Sequence, residues 1–221
     1  MMKSGFIGII GRPNVGKSTL LNSILGEKIA ITTDKPQTTR NSIRGIYTRF
    51  DDPEKAKSLG SFGADGVQMV FIDTPGIHKA RNKLGAAMTE MAVNTFKEVD
   101  VILFLVDGSI KKGPGDRYIL EMIRELSTPK ILIINKIDKM SPEEYRGIFG
   151  TSALEGKNVP QLLAKLETYL EEGPMFFPED MVTDHPERFI VSEIIREKVL
   201  NYLDEEVPHG VAVEIESYKE E

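Results

Sequence analysis

Gly11-Arg12-Pro13-Asn14-Val15-Gly16-Lys17-Ser18-Thr19 places the pattern G-x-x-x-x-G-K-S between an apolar strand and a helical repeat. Phe6, Ile7, Ile9 and Ile10 form the strand before it, and Leu20, Leu21, Ile24 and Leu25 follow at helical spacing. Gly11 and Gly16 allow the backbone to fold close around phosphate oxygens. The helix start offers unpaired N–H groups and a positive dipole end, and Lys17 adds a full charge. The whole run, with Arg12, Pro13, Asn14, Val15, Ser18 and Thr19, is therefore expected to cradle a polyphosphate.

Downstream, Asp73-Thr74-Pro75-Gly76 ends the apolar run Val67, Met69, Val70, Phe71, Ile72. A carboxylate emerging from a strand end is where ligands of open α/β sheets collect. Mg²⁺ keeps several waters and takes few protein ligands, so Ser18 can bind it directly while Asp73 holds it through water. Gly76 can bring its N–H to a terminal phosphate. By residue type alone, D-T-P-G reads equally well as a plain turn.

A third apolar strand, Ile131 to Ile134, closes on Asn135-Lys136-Ile137-Asp138. Here the chemistry addresses a base. A carboxylate at Asp138 accepts two hydrogen bonds side by side, and guanine offers adjacent N1–H and N2–H₂ donors where adenine offers neither. Thr151-Ser152-Ala153-Leu154 follows a further candidate strand at Ile148 and Phe149, and its backbone is placed to meet the base carbonyl. Each motif taken singly also occurs in ordinary strand ends.

Together and in this order, the four motifs resemble the translation-factor-like GTPases, and two further stretches narrow the match to the Era-type GTPases. Lys35-Pro36-Gln37-Thr38-Thr39-Arg40 is similar to their first switch, and Thr183-Asp184-His185-Pro186-Glu187-Arg188-Phe189 to the start of their RNA-binding KH domain. Glu193 to Leu200 and Val207-Pro208-His209 extend the likeness. The resemblance implies an α/β fold: a P-loop NTPase G domain with a mostly parallel central sheet flanked by helices, then the start of an α+β KH-like domain. It implies GTP and GDP as ligands, Mg²⁺ as cofactor, and 16S rRNA and the small ribosomal subunit as partners.

The charge distribution tempers the RNA expectation. Residues 1–170 hold 24 lysines and arginines against 19 acidic residues, whereas residues 171–221 hold 4 against 15. Nucleic-acid binding rests on neutralising phosphates, so the acidic end is a poor RNA surface by charge, and its charge run reads as a solvated face. No apolar run approaches a membrane span and the N-terminus enters a strand at once. These features suggest a soluble cytoplasmic protein with no transmembrane segment, any contact with the inner membrane being peripheral. The absence of cysteine excludes disulfides and cysteine-ligated zinc.

The periodicities predict strands near 5–10, 42–50, 67–72, 100–106, 130–134 and 147–151, and helices near 17–25, 84–97, 115–126 and 159–171. Strands 42–50 and 67–72 are joined without a helical pattern, which predicts one antiparallel hairpin. Domains are expected at 1–171 (GTP-binding), 172–188 (a proline-marked linker) and 189–221 (a partial KH-like unit). Within the last, Ile190, Ile194, Val199 and Leu203 predict a helix face, and Val211, Val213 and Ile215 a strand. The chain reaches Glu221 without the G-x-x-G loop by which KH modules clamp RNA. Two stretches depart from the family pattern: Asp51–Gly66 suggests a long mobile hairpin tip without chemistry, and only Lys139–Phe149 separates the base motif from the next strand.

The reaction expected is attack of water on the terminal phosphate of GTP, with Lys17, Mg²⁺ and loop amides supplying charge. By resemblance Thr39 ligates Mg²⁺ alongside Ser18 and Asp73, with Thr38 as the neighbouring alternative. Ile77 stands where Ras-type GTPases carry a water-orienting glutamine, and His78 beside it is more readily incidental than catalytic. Asn14 matches the asparagine with which potassium-activated relatives hold K⁺ beside the phosphates. Catalytic roles thus fall on Lys17, Thr39, Gly76 and Asn14. A P-loop ATPase or nucleotide kinase, or an RNA-binding module with structural nucleotide, are the competing functions.

Overall fold

The computed structural model describes residues 1–33, 42–59, 64–77, 96–146, 150–202 and 211–217. The first-switch stretch with Thr38 and Thr39, His78, Ile148, Phe149, Leu203, Val207, Pro208 and His209 lie outside these residues. So does the helix expected at 84–97, apart from its last two residues.

Strands β1 (Met2–Gly11), β2 (Ile43–Phe50), β3 (Gly66–Asp73), β4 (Val101–Asp107), β5 (Lys130–Asn135), β6 (Gly150–Thr151) and β7 (Glu171–Glu172) form a single sheet. Its order is β2-β3-β1-β4-β5-β6, with β7 added to β1. β1 runs parallel to both β3 and β4, and β5 parallel to β4 and β6. β2 is antiparallel to β3, so the expected hairpin is present. Parallel strands covered on both faces have no solvent side to mark with polar residues. β4 shows this plainly, being buried along its whole length.

Helices pack on the two faces. Ile7 and Ile9 point to one layer, with Leu20 and Leu21 of α1 (Lys17–Leu25) and Leu162 and Leu166 of a later helix, α4 (Val159–Glu167). Ile10 points to the other, with Phe96 and with Ile119 and Ile123 of α3 (Pro114–Arg124). The alternation follows from the two-residue period of a strand. Removing an aromatic as buried as Phe71 or Phe96 would cost about 3–5 kcal/mol by transfer and cavity terms.

Four stretches add to or depart from the sequence reading. Asp51–Gly66 contains a short helix, α2 (Pro53–Leu59), started by a proline that a first helical turn tolerates and tied by Lys57 to Glu54 at 3.0 Å. Ser141 to Glu144 makes a turn closed by a 2.8 Å bond from the Ser141 N–H to Glu144, without a following helix among the described residues. The segment 171–188 is laid along the sheet. β7 pairs with Lys3 and Ser4, Gln68 bonds the backbone of Phe176 and Phe177, and the Phe176 ring lies 4.8 Å from that of Phe6. Finally, residues 211–217 carry no strand, and Val213 and Ile215 share a cleft with Phe189 and Ser192.

The last helix, α5 (Glu187–Tyr202), departs furthest. Its buried stripe is Glu193, Arg196, Glu197 and Leu200 rather than Ile190, Ile194 and Val199, Ile195 is exposed, and Leu203 lies outside the described residues. The acidic run is thus partly an internal contact surface. Arg196 makes a two-pronged pair with Glu193 at 2.9 and 2.7 Å, while Glu197 takes Lys28 at 2.6 Å. Buried charges require such partners. No described helix is long and apolar enough to cross a membrane.

Candidate nucleotide-binding site

The tips of β1, β3 and β5 and the turn after β6 surround one cavity of about 430 Å³. One end of it is the loop between β1 and α1. Gly16 adopts φ 98°, and a side chain there would strike the Asn135 amide, so only glycine serves. Asn14 is also left-handed, at φ 63°. Val15 is buried beneath the loop, and Pro13, Ser18 and Thr19 line the cavity. Arg12 turns away: its guanidinium meets Asp116 of α3 at 2.7 Å, and Asp116 also accepts the Gly113 N–H at 2.9 Å to cap that helix.

Lys17 is almost wholly buried, its ammonium facing the carbonyls of Arg12 and Gly11 at 3.2 and 3.4 Å. Burial pushes its pKa down, a shift opposed by the negative charge of Asp73. Asp73 is fully buried. Burial pushes its carboxyl upward, opposed by Lys17 and by the Ser18 hydroxyl, which donates to one carboxylate oxygen at 2.7 Å. The other oxygen, Oδ1, is buried with no hydrogen-bond partner. An orphaned anionic oxygen next to a serine hydroxyl fits a divalent cation with oxygen ligands, so Ser18 and Asp73 suit Mg²⁺. Among the described residues no cluster of three or more histidines or carboxylates offers a competing metal site.

The D-T-P-G turn is pressed against the phosphate loop. The Ile77 N–H donates to the Gly11 carbonyl at 3.2 Å, and a side chain on Gly76 would approach the Pro13 backbone to 2.7 Å. Thr74 and Pro75 are buried, and the Thr74 hydroxyl bonds the Ile9 carbonyl at 2.8 Å, so this threonine braces the turn. Ile77 is buried in the second core layer, which removes the position after Gly76 from the solvent side altogether.

At the other end, Asp138 lines the cavity from a 3₁₀ turn and accepts the Ser152 hydroxyl at 2.5 Å. Ala153 and Leu154 line the same end, Leu154 well exposed. The Asn135 amide donates to the Val15 carbonyl at 2.9 Å and accepts the Ala153 N–H at 3.0 Å and the Thr151 hydroxyl at 3.2 Å. Its role is to clamp the two loops together. Lys136, at φ 64°, sends its ammonium to the Asn14 carbonyl at 2.6 Å and to Asp107 at 2.7 Å. Burial alone would raise the Asp107 carboxyl, but bonds from Lys136 and Ser109 outweigh it and hold the group below its usual value.

Sequence reasoning missed Asp107, Asp116, Ile31, Thr32, Thr33, Lys139 and Asn201, all of which line or brace the site. Asp107 ends an apolar strand just as Asp73 does, and that signal could have found it. Asn201 carries no comparable signal.

A family model described as a 50S ribosome-binding GTPase matches residues 6–136. GTPase Era of Alkaliphilus metalliredigens (strain QYMF) is 53% identical over 99% of this chain and 73% of its own length. The chain belongs to the Era family of GTPases. GTPase Era of Clostridioides difficile (strain 630) is 52% identical over the same shares of both chains, 99% and 73%. Among solved structures, Era in complex with MgGDPNP and nucleotides 1506–1542 of 16S ribosomal RNA superposes with a TM-score of 0.81. It is 38% identical, and the match covers 95% of this chain and 70% of that one. A variant of Aquifex aeolicus Era bound to GDP and AlF₄⁻ gives 0.78 at 38% identity, covering 94% and 70%. Membership in the Era family bears out the resemblance read from the motifs, and with it the P-loop G-domain fold. The Era likeness spans the acidic end as well as the nucleotide rim.

Proposed function

We propose that this chain holds a guanine nucleotide with Mg²⁺ across the rim from Gly11 to Leu154, hydrolyses GTP to GDP, and acts as a switch in assembly of the small ribosomal subunit through 16S rRNA. The observation that carries it is that Lys17, Ser18 and Asp138 line a single cavity, with Asp73 bonded behind it to the Ser18 hydroxyl at 2.7 Å. Gly11 to Thr19 take the phosphates. Asp138 reads the base with Ser152, Ala153 and Leu154 around it, while Asn135 and Lys136 hold that end to the phosphate loop.

Ser18 and Asp73 hold the metal, joined from the first switch by Thr39. Mg²⁺, when bound, withdraws charge from the phosphate oxygens. Lys17 supplies a fixed positive charge in a site where burial strengthens it. Gly76 lies against Pro13, which brings its N–H beside the phosphate loop. Ile77, buried after Gly76, offers a water no side-chain hydrogen bond, and the rate is assigned to positioning and charge. Asn14, on the cavity wall, is the proposed K⁺ ligand.

Residues 1–171 form the GTP-binding domain, 172–188 its connection and 189–221 the start of the KH-like unit. The small subunit is favoured because the Era solved with RNA holds a 16S fragment, although the matching family model is described by the large subunit. A ribosomal partner makes the cytoplasm the place of work, with peripheral contact at the inner membrane a separate question for fractionation. Phosphate release from GTP and from ATP, with small or large ribosomal subunits added, tests the proposal. GTP-selective turnover raised by small subunits is expected. Equal turnover of ATP would restore the ATPase or kinase reading, and slow turnover untouched by either subunit the structural-nucleotide reading.

A further inference from the structure

We propose that α5 is a wall of the nucleotide site, with Asn201 hydrogen-bonding the bound guanine nucleotide and Glu197 keeping the helix in place. The inference rests on the nucleotide occupying the cavity described above. Glu197 is 4% exposed, and its carboxylate takes the Lys28 ammonium at 2.6 Å on one oxygen and the Thr32 N–H at 3.0 Å on the other. A buried carboxylate so satisfied fixes position, because sliding the helix would strand its charge. Thr32 lines the nucleotide cavity together with Ile31 and Thr33. Four residues beyond Glu197, and hence on the same helix face, Asn201 reaches that cavity too.

Leu200, 2% exposed, seats the same turn, and Phe189 and Ile190 pack on the main core at the other end of α5. The helix is thereby held at both ends. Asn201 itself is exposed, with its amide free to serve the cavity as both donor and acceptor. That pairing suits the hydroxyl, carbonyl and phosphate oxygens of a nucleotide. Since binding couplings are reciprocal, a nucleotide that bonds Asn201 also tightens the seating of α5.

Calorimetric titration of the full chain with GDP and a non-hydrolysable GTP, with hydrogen exchange across 187–202, tests this. Asn201→Ala should weaken both ligands about two- to tenfold, the worth of one neutral hydrogen bond, while the melting temperature without nucleotide stays put. Glu197→Gln should weaken them as well and abolish the nucleotide-dependent protection of α5 amides that the parent chain shows. Unchanged affinity in Asn201→Ala, or α5 amides that exchange alike with and without GDP, would overturn the proposal. A parent chain that binds neither ligand would defeat the nucleotide reading itself and this inference with it.

Discussion

Lys136 bridges two loops through one ammonium group, 2.7 Å from the Asp107 carboxylate and 2.6 Å from the Asn14 carbonyl. The Asn135–Asp138 turn and the Gly11–Thr19 loop therefore share a contact, and a change at either is felt at the other.

Asp107→Asn should uncouple them. Because the folded carboxyl lies below its usual value, its stabilisation is fully present above the unfolded value of about 3.8 and is lost as pH falls through the folded one. Loss of a charge-assisted bond of this kind costs roughly 1–3 kcal/mol. Denaturant unfolding should show the variant less stable at pH 7 and converging with the parent in acid, once the folded carboxyl is protonated. Parallel curves at all pH values would show that the bridge does not form.

Asp138→Asn exchanges an acceptor for a donor facing the base. GTP affinity should drop about a hundredfold or more, with xanthosine triphosphate becoming the preferred ligand. Competition against a fluorescent GDP analogue reads this directly, and an unaltered preference would move base recognition to another residue.

Asp73→Asn keeps an acceptor for Ser18 but removes the orphaned anionic oxygen. GDP binding, which should tighten with Mg²⁺ in the parent, should become indifferent to Mg²⁺ between micromolar and millimolar concentrations. A preserved Mg²⁺ dependence would place the metal elsewhere.

Gly76→Ala forces a methyl group against Pro13 backbone atoms at 2.7 and 2.8 Å, which cannot rotate aside. The strain of about 1–3 kcal/mol must part the two loops. Single-turnover hydrolysis should slow by about tenfold or more, with GDP affinity changed less, whereas parent-like hydrolysis would show that the turn has slack.

Turnover in K⁺ should exceed that in Na⁺, and Asn14→Ala should erase the difference. Equal rates in the two salts would remove the monovalent cation from the mechanism.

The strand-ending motifs were readable because each is local. Gly11 to Thr19 must turn, cradle anions and start a helix within nine residues, and only a few residue types do all three. The parallel sheet was readable for a similar reason, since Val101 to Val106 can be neither a solvated strand nor a turn. Expectations weakened where a contact spans the chain. Arg12 finds Asp116 across 104 residues, and nothing near either one announces the other. The apolar pattern of α5 even pointed to another face, because Lys28 and the Thr32 N–H give Glu197 a reason to be buried that hydropathy cannot express.

Chemistry confined to a few consecutive residues was therefore set by the order of amino acids: the glycine-bounded turn, the acidic strand end, and the proposed guanine reader. Folding settled which distant charges meet, that Asn135 clamps loops together, and that α5 lies beside the cavity. The physical reason is that backbone turns and strand burial are short-range constraints. The partner of a buried charge is chosen by whichever group the packed sheet brings within hydrogen-bonding distance.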